Sequence, residues 1–391
     1  MLTILMGNGR QDLRGELLQD IQQRLKENPK LTIYYIVPNH IKFDSEVNVL
    51  ERFAQLNHYD NQEVYAQSQL QVYSLTRLAW ALGKNLPEKQ ATTVQSSGLF
   101  MIVSSILQEK AQQLPIFARM QSKSGFVDAL VKQLVELRAS RVTPEDILNI
   151  LDQQTADSTF VKQTLQQKLL DLAVVADALD EKLGAQFITP QETLSFFASQ
   201  MQNITLTDVA FYFEGFNGLT AAEYQVVTTL IQKWSVTISL LGDAQYLGQQ
   251  KEGDVFFKPM QLAQELTYYA KQIGQTTQLI TATTARHLSN TSNTLLQAWE
   301  SIGEYRTFTA KNNNVALQMF TAENPMVELQ EVARRIRQSL ATSSHLHLRD
   351  IVILARDLNA YQADIPAVMS QFDLPYFLDL DQDMMTHPLV E

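Results

Sequence analysis

The chain has 391 residues, more than one ordinary hydrophobic core organises, so two or three domains are expected. Hydrophobic residues make up 45%, no run approaches the roughly 18 to 20 apolar residues that cross a bilayer, and the opening MLTILMGNGR lacks a basic leader; a folded cytoplasmic chain without a membrane association is expected. The absence of cysteine excludes disulfides, thiol nucleophiles, iron–sulfur clusters and thiolate zinc sites, and a net charge of −11 argues against uniform coating of nucleic acid while leaving room for a narrow basic or aromatic groove.

The opening reads as strand, turn, helix, strand. Leu2 to Met6 is apolar, Gly7-Asn8-Gly9 punctuates it, and Leu13, Leu17, Ile21 and Leu25 recur every fourth residue, which marks one helical face. Leu31 to Val37 is β-branched and aromatic and is stopped by Pro38, as in a buried parallel strand after a crossover helix. A third strand is expected at Leu70 to Ser74, running into a helix that carries Arg77 and Trp80.

From about Thr92 to Gln200 the β pattern gives way to helical stripes, among them Phe126, Leu130, Leu134, Leu137 and Leu165, Leu169, Leu172, Val175, Leu179. Thr143 with Asp146, Thr189 with Glu192 and Thr220 with Glu223 have the spacing of a helix-start capping pair, and Pro144 and Pro190 occupy the first helical position, where no N–H is needed. Residues 92–200 therefore read as an all-helical insertion. Strands return at Asp208 to Phe213 and Val236 to Leu241 around a helix from Ala221 to Lys233, so the first α/β domain is expected to be discontinuous, 1–91 with 201–300. Gly248 to Asn314 is polar and weakly patterned, with Asn312-Asn313-Asn314 as the clearest linker. A second α/β unit is expected over 315–391: strand Val315 to Phe320, helix Met326 to Leu340, strand Asp350 to Leu354, helix near Tyr361 to Gln371 and strand Tyr376 to Leu378, stopping without a visible closing element.

The first strand–turn–helix is where a phosphate-binding loop would lie. Such a loop needs glycines to turn backbone N–H groups toward phosphates, a lysine to neutralise them and a Ser/Thr for magnesium. Counted from Gly7, with Gly9 and Arg10 in the turn, the lysine position holds Leu13, the hydroxyl position Arg14, and Asp12 replaces the last glycine. An acidic pair after the strand ending at Phe213 would hold magnesium and activate water; here stands Glu214-Gly215, one carboxylate without the second. Asp243 and Gln245 in LLGDAQ have the pattern of a terminal-phosphate sensor or of an ordinary turn. Asn39, His40 and Lys42 after Pro38, with Ser74, Arg77 and Trp80 at the next strand end, supply polar donors beside an aromatic platform for unpaired bases; the alternative is that Trp80 is core and Arg77 a solvated charge. Arg356-Asp357 reads as a surface ion pair, and His345 with His347 as surface residues. No GxSxG, HExxH, metal-spaced histidine pair or nuclease-type carboxylate cluster is present, and no catalytic or metal-ligating residue is assigned.

Taken in order, the glycine turn at Gly7, IVPNHIKFDSE (Ile36 to Glu46), VYSLTRLAW (Val72 to Trp80), FYFEGFNGLTAAE (Phe211 to Glu223), ILARDLNAY (Ile353 to Tyr361) and LPYFLDLDQDMMTHPLVE (Leu374 to Glu391) resemble the RexB/AddB component of bacterial ATP-dependent helicase/deoxyribonucleases along essentially the whole chain. The resemblance implies an α/β, RecA-like, superfamily 1 helicase scaffold of P-loop NTPase type, its parallel sheet interrupted by a helical domain and followed by the start of a second RecA-like domain. It also implies a heterodimer with a helicase/nuclease A subunit that acts on DNA ends and single-stranded DNA and responds to a Chi-type signal. The RexB/AddB exonuclease lies carboxy-terminal to this stretch, and magnesium, with ATP at the partner, serves the intact complex while no cofactor is expected here. The positions of Asn39, His40, Lys42, Arg77 and Trp80 fall on the family's single-strand path. His40 and Lys42 depart from the Gln and Thr/Ser expected there, and Asp12, Leu13 and Arg14 from an intact phosphate loop. A helicase relic without its own turnover is expected; the alternative is a motor or switch in which Arg10 or Arg14 replaces the lysine.

Overall fold

The structure is a computed structural model that describes residues 1–39, 42–59, 67–83, 92–140, 142–153, 160–184, 187–188, 192–300 and 318–378. The chain divides into two compact units, Met1–Lys311 and Asn312–Glu391. Its first unit opens with β1 (Leu2–Gly7), α1 (Leu13–Glu27), β2 (Thr32–Ile36), α2 (Lys42–Leu56), β3 (Leu70–Tyr73) and α3 (Leu75–Gly83). Helices then dominate: a two-residue β4 (Thr92–Thr93), α4 (Ser96–Glu109), α5 (Ser124–Ala139), α6 (Pro144–Gln153), α7 (Phe160–Leu183) and the short β5 (Phe187–Ile188), which pairs with β4. After α8 (Thr193–Met201) come β6 (Val209–Phe213), α9 (Ala221–Lys233), β7 (Ser235–Leu241), α10 (Phe257–Gln272), β8 (Thr277–Thr281) and α11 (Asn290–Glu300).

Six strands form one parallel sheet in the order β3-β2-β6-β7-β1-β8. Strands covered on both faces are apolar throughout, and alternate residues supply the two cores. Leu2, Ile4, Met6, Phe211 and Phe213 face a core built with α3, α8, α9 and α10. Leu5, Tyr35, Ala210 and Tyr212 face the opposite one, built with α1 and α2. Each fully buried aliphatic or aromatic side chain contributes roughly 1.5–3 kcal/mol relative to exposure, which makes the sheet's central strands its most stable part. Edge strand β8 is largely exposed.

The helical stretch has its own core, with Leu99, Val103, Leu130, Leu134, Val175 and Leu179. There Asp171, fully buried, accepts the N–H groups of Ile116 and Phe117, each at 2.9 Å, so its carboxyl oxygens are met by protein donors. α8 behaves differently: Phe197, Ala198 and Met201 join the sheet's core. Two of the three expected helix starts are described. Thr220 and Glu223 form a reciprocal capping box at α9, and Thr143 and Asp146 exchange the same bonds at α6, whereas Thr189 lies outside the described residues.

The polar stretch after Gly248 contains more structure than its pattern announces. α10 hides its stripe of Met260, Leu262, Ala263, Leu266 and Ala270 among glutamines and tyrosines, and β8 is a five-residue edge strand. In the second unit, α12 (Pro325–Thr342) starts on an Asn324 cap with Pro325 behind it and packs Leu329 and Ala333 against Ile365, Val368 and Met369 of α13 (Asp364–Gln371). No strand forms at 318–320, 350–354 or 376–378, contrary to expectation; residues 315–317 lie outside the described set. A strand exists only through a neighbour that takes its N–H and C=O groups, and among the described residues of this unit none pairs. Several of their side chains stand in solvent, Met319 at 95%, Leu354 at 85% and Phe377 at 90% exposure.

Candidate functional site

Open parallel sheets bind ligands beyond the carboxyl ends of their strands, at the point where the strand order reverses. Here β1 has β7 on one side and β8 on the other, and the chain leaves β1 toward α1 at Gly7. A Cβ at Gly7 would lie 2.9 Å from both Gln11 Oε1 and Leu13 Cδ2 and 3.0 Å from Ala282 Cβ, so a side chain there would force these neighbours to shift. Beside it Gly242, at φ +147°, donates its N–H to the Gly7 carbonyl at 2.9 Å.

The turn's amides are already engaged. Asn8 N–H donates to Gln11 Oε1 (2.6 Å), Gly9 N–H to Glu300 Oε1 (3.0 Å), Arg10 N–H to Asn8 Oδ1 (3.1 Å), Gln11 N–H to the Asn8 carbonyl (3.1 Å) and Asp12 N–H to the Thr284 carbonyl (2.8 Å). Asp12, at the position of the last glycine in an intact phosphate loop, caps α1 by accepting from Gly15 N–H at 3.3 Å and pairs with Arg52 Nη1 at 2.8 Å. Burial pushes the Asp12 carboxyl up, but its bonds from Arg52 and Gly15, with the charges of Arg52 and Arg286, outweigh this and hold it below its ordinary value.

Arg14 and Glu214 define the centre. The Arg14 Nε–H lies 2.8 and 2.9 Å from the two Glu214 oxygens, and Nη1 donates to Asn48 Oδ1 at 2.7 Å. From β2, the buried Tyr35 hydroxyl donates to Glu214 Oε2 at 2.7 Å. Burial works against the Arg14 charge, yet the adjacent carboxylate holds its guanidinium above the ordinary value. Because β7 lies between β1 and β6, this pair reaches across a strand and faces a cavity of about 450 Å³ that Arg52, Asn217 and Arg286 also line. The donor set does not fit a magnesium nucleotide: a guanidinium stands where a metal-holding hydroxyl belongs, the Glu214 carboxylate is bound to it and that of Asp12 to Arg52, and the turn's N–H groups described above are spent on protein oxygens.

Burial first, then the Glu214 charge, push the Tyr35 hydroxyl well above its ordinary 10.0. An unfolded tyrosine ionises near 10, so the stability Tyr35 contributes is complete below that pH and is lost as pH rises above it toward the folded value, at up to about 1.4 kcal/mol per pH unit. Urea titrations between pH 9 and 11 are expected to show this decline, and Tyr35→Phe to make it shallower. An unaltered slope in that variant would contradict the assignment.

The other predicted residues fall into separate places. Ser74 is buried and caps α3, its Oγ accepting from Arg77 N–H at 3.3 Å. Arg77 and Trp80, three apart on α3, are exposed, Trp80 by 55%. Asn39 is tied to the same corner by its Nδ2 donating to Thr76 Oγ1 at 3.3 Å. Lys42 is the first residue of α2, and His40 lies outside the described residues. Asp243 accepts from Gln245 N–H at 2.9 Å in a short 3-10 turn, and Gln245 is exposed and does not line the cavity. Asn48, Arg52, Arg286, Glu300 and Tyr35 were not singled out from sequence. Tyr35 alone carried a usable signal, since a tyrosine buried in a strand needs a partner for its hydroxyl.

A parallel six-stranded sheet flanked by helices, with a glycine turn at the end of β1, is an α/β architecture of the RecA-like class. Residues 4–300 match the family model described as ADDB, N-terminal. Over 390 residues, all of this chain, it is 57% identical to the B subunit of the ATP-dependent helicase/deoxyribonuclease of Leuconostoc mesenteroides subsp. mesenteroides, of which it covers 34%. The proteins of the same name from Leuconostoc citreum and Latilactobacillus sakei subsp. sakei are 55% and 35% identical, again along the full chain, with 33% and 32% of their lengths covered. The chain belongs to the ADDB N-terminal family and spans about a third of the length of these relatives.

Proposed function

We propose that this chain is the helicase-like amino-terminal part of the B subunit of a heterodimeric, cytoplasmic ATP-dependent helicase/exonuclease, and that it guides DNA and docks a helicase/nuclease A subunit without turning over nucleotide itself. Arg14 bound through both oxygens of Glu214 carries the reading, because an organic cation holds the carboxylate that magnesium would need. Arg10 and Arg14, the two cations suited to replace the missing lysine, are each paired, with Glu300 and Glu214. Magnesium and ATP then serve the partner, and bond cleavage belongs to a region beyond this stretch. The names of the relatives, as helicase/deoxyribonuclease subunits, support DNA as substrate and a second subunit as partner.

Within this reading the first RecA-like domain is discontinuous, 1–91 and 201–300, with the helices of 92–200 between its halves and a second RecA-like domain starting at 315. The unpaired bases of a processed end lie along Asn39, Arg77 and Trp80, where response to a Chi-type signal also belongs. The isolated chain is expected to show no magnesium-dependent ATP turnover. Magnesium-dependent ATP affinity that disappears in Arg14→Ala would replace this reading with that of a nucleotide-driven motor. No helix among the described residues is long and apolar enough to cross a membrane.

A further inference from the structure

Asn-Gly, the dipeptide in which a backbone amide most readily attacks the preceding side chain, occurs twice in the sequence, at Asn8-Gly9 and at Asn217-Gly218. Glycine has no Cβ to hinder that approach. The fold treats the two in opposite ways. At the first, Asn8 Oδ1 accepts from Arg10 N–H at 3.1 Å and Gly9 N–H donates to Glu300 Oε1 at 3.0 Å, so both reacting groups are held. Leu296 also covers Gly9, 3.5 Å from where a Cβ would stand. The second lies between two anchors in the connection from β6 to α9. Before it, Glu214 N–H donates to the Ile36 carbonyl at 3.0 Å and Phe216 packs edgewise on Phe213; after it, Thr220 and Glu223 cap α9. Asn217 and Gly218 themselves are exposed, and neither makes a hydrogen bond among the described residues. A Cβ at Gly218 would meet nothing within 4 Å, so the space that the reaction needs is open.

We propose that Asn217 is a site of spontaneous deamidation and isomerisation, and that the bond from Gly9 to Glu300 protects Asn8 from the same reaction. Hydroxide removes the Gly218 amide proton and the nitrogen attacks Asn217 Cγ. The new C–N bond forms as the Cγ–Nδ2 bond breaks, and ammonia leaves with a proton taken from water. Water then opens the five-membered succinimide. Breaking the new bond leaves aspartate, whereas breaking the original peptide bond leaves isoaspartate, with the chain rerouted through the side chain. In sum, asparagine and water give a carboxylate and ammonium, with no oxidant, reductant or cofactor. Either product places a further negative charge on the wall of a cavity that Arg14, Arg52 and Arg286 also line. The chemistry is independent of the function proposed above.

The test is ageing of the full chain, folded and in urea, in mildly alkaline buffer at physiological temperature. Digestion in heavy-oxygen water then marks any conversion that happens during digestion itself. Peptide mass spectrometry follows the gain in mass at each site, and chromatography separates aspartate from isoaspartate. In the folded chain Asn217 is expected to convert at least about tenfold faster than Asn8, the factor that one charge-assisted hydrogen bond imposes on a step that must first break it. In urea the two rates are expected to converge. Equal rates in the folded chain overturn the proposal, as does a difference that persists undiminished in urea, which would belong to the local sequence. Gly218→Ala, whose Cβ enters open space, is expected to slow Asn217 several-fold and to leave Asn8 unchanged; an unaltered Asn217 rate would mean that this amide is not the attacking group. Glu300→Ala, checked for fold by circular dichroism, is expected to speed Asn8 toward the Asn217 rate, and a slow Asn8 in the folded variant overturns the protective role of Glu300. If that variant does not fold, the urea and Gly218→Ala arms decide.

Discussion

Arg14→Ala is expected to lower the unfolding free energy by about 3 kcal/mol, measured by urea denaturation at neutral pH. The Arg14 and Glu214 side chains are 20% and 15% exposed, so removing the guanidinium leaves a mostly buried carboxylate with Tyr35 as its remaining described partner. Partial exposure places the effect at the lower end of the range for breaking a buried pair. Replacing both residues by leucine is expected to recover part of the loss, because the larger share of it is the cost of the stranded charge rather than the worth of the pair. A loss below about 1 kcal/mol in Arg14→Ala would mean that solvent screens the pair as on an ordinary surface.

Arg77→Ala with Trp80→Ala is expected to weaken single-stranded DNA binding by the reconstituted heterodimer by roughly 1–3 kcal/mol, or about 5- to 150-fold. Stacking on the exposed indole supplies most of this. Loss of one phosphate contact from Arg77 is expected to reduce the salt slope by about 0.7. Since Trp80 is 55% exposed, truncation should leave the fold intact, which Ser74→Ala helps to check: it removes the cap of α3 and weakens the helix without touching the proposed DNA face. Fluorescence anisotropy at several salt concentrations reads both quantities. Unchanged affinity in the double variant would remove the guiding role from this corner.

The strands were legible where burial on both faces made them continuously apolar, as at Leu2–Gly7 and Ser235–Leu241. α9 was legible to the residue because Thr220 and Glu223 announce its start. α10 and β8 were not: a helix with one buried stripe among glutamines, and an edge strand facing solvent, lack the contrast that periodicity needs. At the loop, sequence identified what is missing, a lysine and a hydroxyl, through the spacing from Gly7. It did not identify what stands in their place. Arg14 meets Glu214 200 residues away, and Gly9 meets Glu300 291 residues away, through strand order rather than spacing. Ser74 shows why a polar residue at a strand end is ambiguous in sequence, since it is as readily a helix cap as a contact.

The order of strands also sets the order of assembly. β1 is synthesised first, yet both of its neighbours, β7 and β8, are built from residues beyond 234, and β2 lacks β6 until after residue 208. While the ribosome adds the intervening helices, which can pack on a core of their own, the opening strand waits with no ladder partner. Such long-range parallel pairing is expected to make closure of this sheet slower than formation of the helical core between its halves, and to leave β1 and β2 exposed until β6 and β7 are made.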